Sequence, residues 1–300
     1  DFGSVPIGFT PARVLTVRNV GDRLARIVDV PQLEPPFSFV GGSYPGTGGT
    51  CGVTLAPSRS CDLIVSFAPT SESDFETRLE IEYVASKKLQ LVTGINLVGN
   101  GGPTVVKQIA GGERSYCAIF SDGRLKCWGN NGAGRLGLGD TMNRGTSPSQ
   151  LGANLPYVDL GTDRRAVAIS VGTNYACAIL DDGSLKCWGS NGAGQLGQGD
   201  EVARGDGPNE MGNNLPAINL GTGQQIRQVS AGQGMTCALL TSAKIKCWGS
   251  NFTGQLGLGD TNDRGDQPGE MGDALPIVDL GTNYQATSIV STGAGHACAI

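Results

Sequence analysis

The stretch CAIFSDGRLKCWGNNGAGRLGLGD, Cys117 to Asp140, returns as CAILDDGSLKCWGSNGAGQLGQGD from Cys177 and as CALLTSAKIKCWGSNFTGQLGLGD from Cys237. Self-similarity at a fixed period constrains a fold more than any single residue does, because each copy must be one packing unit stacked on the next. The offset is 60 residues between the first three copies and 61 to a fourth, which opens as GHACAI and runs to Ile300. LPYVDLG (155–161), LPAINLG (215–221) and LPIVDLG (275–281) keep the same period. The chain therefore holds about three and a third units. The fourth is expected to continue beyond Ile300 in a longer protein.

Within the first unit four short strands are expected: Val105 to Ile109, Ser115 to Phe120, Arg124 to Trp128 and Tyr157 to Leu160, with a long Gly- and Pro-containing loop before the last. The 48 glycines among 300 residues fall at turns such as WGNNGAGRLGLGD and form no collagen triplet. Four antiparallel strands per unit, repeated, describe the blades of a β-propeller. No unit shows the period of an amphipathic helix.

The hairpin can be registered from its turn. FSDGR fits a three-residue loop with Gly123 in the left-handed position. Phe120 then faces Arg124, Ile119 faces Leu125, Ala118 faces Lys126, and Cys117 faces Cys127 at a site where opposite Cα atoms lie ~4.5 Å apart. The same register opposes Cys177 to Cys187, and Cys237 to Cys247, although Ala243 stands where the other copies have glycine. Reduced cysteines could fill such positions as small core residues. Threefold recurrence of a facing pair favours disulfides and with them an oxidising compartment. Zinc is disfavoured, since no C-x-x-C occurs and the chain has one histidine. Cys298 is expected to be the first half of a fourth pair, left alone here.

Trp188, Gly189, Asn191, Gly194, Gln195, Leu196, Gly197 and Gly199 reproduce the Trp-Gly-x-Asn-x-x-Gly-Gln-Leu-Gly-x-Gly signature. Over about 105 to 300 the chain resembles the regulator of chromosome condensation repeat family. Arg135 replaces the Gln in the first copy. The position of the family histidine holds Ser115, Tyr175 and Met235, and only in the fourth unit His296. The resemblance implies blades of a seven-bladed propeller. Cysteine-paired versions look like those of secreted and surface proteins of bacteria, not the nuclear exchange factor.

The first hundred residues alternate differently. In CDLIVSF, Cys61, Leu63, Val65 and Phe67 share one face; in RLEIEYV, Leu79, Ile81 and Tyr83 alternate with Arg78, Glu80 and Glu82. Half-buried strands of a sandwich read this way. DFGSVPIG, VRNVGD, LAPSRSCDLIVSFAPT and INLVGNG, in that order, resemble the immunoglobulin-like domains related to Hydin and the bacterial choice-of-anchor repeats, which serve as spacers or adhesion modules. Cys51 and Cys61 form a further candidate pair. GNGGP, Gly99 to Pro103, reads as the passage between domains, which gives a sandwich over 1–101, a linker over 102–104 and blades over 105–300. The expected class is all-β throughout.

A net charge of −5 provides no general attraction to phosphate, so nucleic acid is not an expected partner. No run of about 18 apolar residues appears, so no membrane span is expected in this segment. General acid–base and nucleophilic chemistry need convergent titratable groups. His296, at a position otherwise held by Ser, Tyr and Met, reads as a packing residue. The chain is accordingly read as no enzyme and as holding no cofactor or metal. Asp140, Asp200 and Asp260 end the Gly-rich turn, where Asp commonly binds backbone. A calcium site in GDTNDRGD (259–266) is weakened by the loss of two acids in GDTMNRGT. Arg204-Gly205-Asp206 and Arg264-Gly265-Asp266 spell an integrin motif, but the first copy reads Arg144-Gly145-Thr146, so repetition explains them. Trp128, Trp188 and Trp248 read as inter-blade core, and the sequon at Asn251 as a structural turn.

Variation concentrates between Asp140 and Leu155 and in the matching stretches 201–215 and 261–275. Met142, Asn143, Arg144, Val202, Arg204, Asp206, Asn262, Arg264 and Asp266 are therefore the candidate binding-loop residues. The leading reading is a non-enzymatic, extracytoplasmic interaction protein, secreted or at the cell surface, whose loops bind a protein or glycan partner and whose sandwich is a spacer. The alternative is a regulator of an enzyme: a secreted inhibitor like the propeller-type β-lactamase inhibitor protein, or a guanine-nucleotide exchange factor.

Overall fold

Alternating apolar and polar side chains put one face of each early strand into a shared core, and the computed structural model, which describes residues 1–86, 89–291 and 295–300, arranges those strands in two sheets. The described residues of this unit form β1 (Ser4–Pro6), β2 (Ala12–Arg18), β3 (Ala25–Asp29), β4 (Phe37–Phe39), β5 (Thr54–Leu55), β6 (Ser60–Phe67), β7 (Asp74–Ser86) and β8 (Leu89–Gly102). One sheet runs β1-β8-β7-β3-β5 and the other β2-β6-β4. Leu63, Val65 and Phe67 of β6 are buried against Leu79 and Ile81 of β7, with Phe2 and Phe37 closing the core. Phe37 stacks on Phe67 with ring centroids 4.8 Å apart.

Compact units divide between Val105 and Val106. The passage expected at 102–104 begins later than its glycines imply: β8 continues through Gly102, with Asn100, Gly101 and Gly102 paired in parallel to Ser4, Val5 and Pro6. Gly101 fits there because a Cβ would lie 1.9 Å from the Ser71 carbonyl oxygen. These glycines serve close backbone approach in a sheet.

The second unit is a series of antiparallel sheets. Three strands form each of the first three: β9 (Val106–Gly111), β10 (Ser115–Phe120) and β11 (Leu125–Gly129); β12 (Ala166–Val171), β13 (Tyr175–Leu180) and β14 (Leu185–Gly189); β15 (Ile226–Ala231), β16 (Met235–Leu240) and β17 (Ile245–Gly249). β18 (Ile289–Ser291) and β19 (Ala297–Ala299) pair in a fourth. The hairpin register is the one counted from the turn: Ile119 opposes Leu125, Ala118 opposes Lys126, and Cys117 opposes Cys127, with equivalent pairs in the next two blades. No α-helix occurs among the described residues; the long loops carry only 3-10 turns such as Gly212–Asn214.

The core lies between blades. Cys117, Ile119, Leu125 and Cys127 pack on Ala176, Ala178, Leu180 and Trp188 of the next blade, and the set repeats one blade on with Trp248. β13 is buried along its whole length because a neighbour covers each face. Trp188 and Trp248 are fully buried; Trp128 is half-buried and stacks on Tyr116.

A fourth strand per blade is not found at Tyr157–Leu160. The segment is extended but makes one ladder-type bond, Val158 N–H to the Leu125 carbonyl (2.8 Å), repeated at Ile218 and Val278. Pro156 lacks an N–H. The carbonyl of Leu160, which a ladder would use, instead accepts from the ammonium of Lys186 in the next blade (3.0 Å). The first strand begins at Val106 and the third ends at Gly129, each a residue later than the sequence reading.

Candidate functional site

The variable loops begin where β11, β14 and β17 end on Gly129, Gly189 and Gly249, all at positive φ of about 100°. Only glycine fits there without strain: a Cβ on Gly129 would meet the Arg114 carbonyl oxygen at 2.4 Å. Beyond it, Asn131 is fully buried and organises the turn. Its amide donates to the carbonyl of Asp140 (2.7 Å), and its carbonyl oxygen accepts from Leu136 N–H (2.9 Å). Asn191 and Asn251 repeat both contacts. The sequon asparagine is thus buried in the turn.

Asp140, Asp200 and Asp260 pair with Arg144, Arg204 and Arg264 at 2.6, 2.8 and 2.6 Å. Burial opposes the charge on Asp140, but the Arg144 hydrogen bond and the Met142 amide outweigh it and hold the carboxyl below the usual aspartate range. The Asn262 amide does the same for Asp260, helped by Arg264. Each arginine also pairs its backbone with the strand-end glycine, as Arg144 does with Gly129. The guanidinium groups at Arg144, Arg204 and Arg264 are therefore tied into the loop base.

The following residues reach across to the preceding blade. Gly139 N–H donates to the Gly205 carbonyl (3.1 Å) and Gly199 N–H to that of Gly265 (2.9 Å). A Cβ on Gly134 would lie 2.3 Å from the Asp206 nitrogen. Glu210 accepts from the backbone N–H groups of Gly205, Asp206 and Gly207, which, against the opposing effect of burial, keeps its pKa low. Burial and then the neighbouring Glu210 push Asp206 up. Asp266 is half-buried, and its Oδ1 has no hydrogen-bond partner among the described residues. The two Arg-Gly-Asp triplets thus lie in an inter-blade seam.

What the loops expose is their tips. Met142 is 63 % and Val202 59 % exposed, and Asn143 and Asn262 are exposed beside them. Asn143 still accepts from Asn131 N–H at 2.8 Å. Of the nine loop residues singled out from the sequence, Met142, Asn143, Val202 and Asn262 stand at the surface. Arg144, Arg204, Arg264, Asp206 and Asp266 shape the loop beneath them.

Sequence reasoning passed over the lysines. Lys186 is buried, with its ammonium on the carbonyls of Leu160 (3.0 Å) and Gly212 (2.7 Å); Lys246 binds Leu220 and Gly272 in the same way, and Lys126 binds Gly152. Burial lowers the pKa of all three. Their recurrence in LKCWG, LKCWG and IKCWG was the available signal.

The structure joins Cys51 to Cys61, Cys117 to Cys127, Cys177 to Cys187 and Cys237 to Cys247, with Cα atoms 4.8 Å apart in the first pair and 4.1 Å in the others. Cys298 is free and exposed, opposite Val290. His296 is exposed on the way into β19. No group of three or more His, Cys, Asp or Glu suited to a metal occurs among the described residues, and no described helix is long and apolar enough to cross a membrane.

A sandwich followed by stacked, cysteine-linked blades with loops anchored at their bases defines a repeat protein of the β-propeller class. The blades match the regulator of chromosome condensation (RCC1) repeat over 106–135, 166–195 and 226–255, and a second description of that repeat over 122–179 and 182–239; residues 1–93 match the HYDIN/CFA65/VesB-like, Ig-like domain. The chain is an RCC1-repeat protein with an N-terminal Ig-like domain of that kind. It is 31 % identical over 162 residues to the ultraviolet-B receptor UVR8 of Arabidopsis thaliana, covering 54 % of this chain and 33 % of the receptor. It is 31 % identical over 155 residues to the human E3 ubiquitin-protein ligase HERC2, covering 52 % of this chain and 3 % of the ligase. The match thus spans a third or less of these relatives. Among solved structures, yeast RCC1 (Prp20) bound to Kap60 aligns with 75 % of this chain and 52 % of its own, at 18 % identity and a TM-score of 0.46.

Proposed function

We propose that this chain is a non-catalytic interaction protein that works outside the cytoplasm and captures a protein partner through the loop tips of adjacent blades, with the Ig-like domain as spacer. RCC1-type propellers are protein-binding modules. The observation that carries the reading for this chain is the contrast within each loop. The base is fixed by Asn131, Asp140 and Arg144 and their repeats, while the tips at Met142, Val202 and Asn262 are exposed and differ from copy to copy. A rigid base with variable tips lowers the ordering entropy of binding and leaves specificity to the tip residues. Four disulfides in 300 residues support an oxidising compartment.

A photo-crosslinking residue at Met142, Val202 or Asn262 should trap one and the same partner from the extracytoplasmic fraction, and a triple alanine variant at these positions should lose it with its fold intact. Undiminished co-purification of that partner with the triple variant, or crosslinks formed only from the sandwich, would move the site elsewhere.

A further inference from the structure

Between the second and third blades lies a cavity of about 430 Å³, within the range of about 300–1,000 Å³ typical of small-ligand sites. It is lined by Asn174 and Gln195 of one blade and by Gln233, Ser250, Phe252, Thr253 and Gln255 of the next, and no charged side chain among the described residues lines it. The copies differ at this place. At the junction of the first and second blades, Arg135 reaches across and donates to the Thr173 carbonyl at 3.0 Å. The repeat equivalent is Gln195, a shorter side chain that makes no such crossing. Gln195 is only 5 % exposed. Its Oε1 accepts from Ala193 N–H (2.9 Å), whereas its Nε2 donates to no acceptor among the described residues. Gln195 lines the cavity and its amide is not sealed from solvent, so a ligand oxygen can take the place of water on it. At the rim Phe252, 75 % exposed, stands where the other two copies have Gly132 and Gly192.

We infer that this cavity is a binding site for a neutral pyranose residue of a glycan. Uncharged amides and hydroxyls converging on a pocket match a polyol, which needs hydrogen bonds in several directions and no counter-charge. The aromatic ring at the rim offers a surface for the apolar face of a sugar ring. An anionic sugar would find no cation in this lining. The site rests on the reading of the blades as a binding module, but it is separate from the Met142, Val202 and Asn262 tips.

Saturation-transfer NMR on the full chain with the methyl glycosides of glucose, galactose, mannose and N-acetylglucosamine tests it, with glucuronate as the charged control. At least one neutral glycoside should receive saturation. Gln195→Arg, which places in this cavity the side chain that Arg135 already provides one blade earlier, should abolish the effect while leaving the amide spectrum folded. Phe252→Ala should weaken binding about fivefold or more. The triple tip variant should bind the glycoside as before, so failure of the loop reading and failure of this one are distinguishable. No transfer to any neutral glycoside, transfer unaffected by Gln195→Arg, or stronger transfer to glucuronate would each overturn the assignment.

Discussion

Truncating Asn191 would strip Leu196 N–H and the Asp200 carbonyl of their partners at a position only 1 % exposed. Each buried group so orphaned costs about 1–3 kcal/mol, so Asn191→Ala should lower the unfolding free energy by roughly 2–4 kcal/mol in urea melts. A loss below about 0.5 kcal/mol, the usual size of a surface substitution, would show that the turn does not depend on the asparagine. Charge at the loop base gives a second expectation. Asp140 and Asp260 have pKa values held below those of the unfolded chain. A depressed carboxyl contributes stability that is complete above the unfolded value near 3.9 and is lost as pH falls through the folded value. Melting temperature should therefore fall more steeply below about pH 4 in the parent than in an Asp140→Asn, Asp260→Asn double variant; parallel profiles would refute the linkage. The sequence placed these aspartates in the turn and Asn251 among structural residues. It could not show that Arg144, Arg204 and Arg264 belong to the base and not to the binding face, because pairing to Asp140, Asp200 and Asp260 is settled only once the loop has folded back onto the strand-end glycine.

Each hairpin is an element whose register the turn dictates, which is why Cys117 opposite Cys127 was legible from FSDGR alone. The third copy tests the rule. Ala243 adopts φ of 60°, the left-handed value that Gly123 and Gly183 take at 77° and 81°. For a residue with a Cβ that conformation costs about 1–2 kcal/mol, partly offset in a glycine variant by the greater entropy of its unfolded chain. Ala243→Gly should therefore stabilise the protein by about 0.5–1 kcal/mol, seen as a higher denaturation midpoint with an unchanged slope; destabilisation would mean that the methyl group packs usefully. Facing cysteines also define a labelling experiment. Chain produced under oxidising conditions, unfolded without reductant and alkylated, should take up one label, on Cys298, and nine after reduction. Nine labels without reductant would overturn both the pairing and the extracytoplasmic proposal. The fourth strand was misread because Tyr157–Leu160 has the apolar alternation of an edge strand, while the Lys186 ammonium that takes the Leu160 carbonyl comes from a different strand.

At the scale of the whole chain, the order of a sandwich followed by repeated blades was legible because the two halves have different periods, two residues in the strands of the first and 60 in the second. Gly102, expected in the linker, instead pairs with β1, because glycine marks both turns and close strand approach. The sandwich has a core of its own, built on Phe2, Phe37, Leu63, Val65, Phe67, Leu79 and Leu97, together with the Cys51–Cys61 link. A unit of about 100 residues with such a core is large enough to fold alone. Its β1 comes from the first residues and pairs with the end of β8, so a boundary placed before Gly102 would remove part of that ladder. Residues 1–105 expressed alone should therefore unfold in one cooperative transition, and a version ending at Gly99 should be less stable by about 1–3 kcal/mol, the range for loss of a few buried backbone hydrogen bonds. Equal stability of the two versions would show that the Asn100–Gly102 pairing does not support the sandwich, and failure of 1–105 to fold at all would mean that the sandwich depends on the blades.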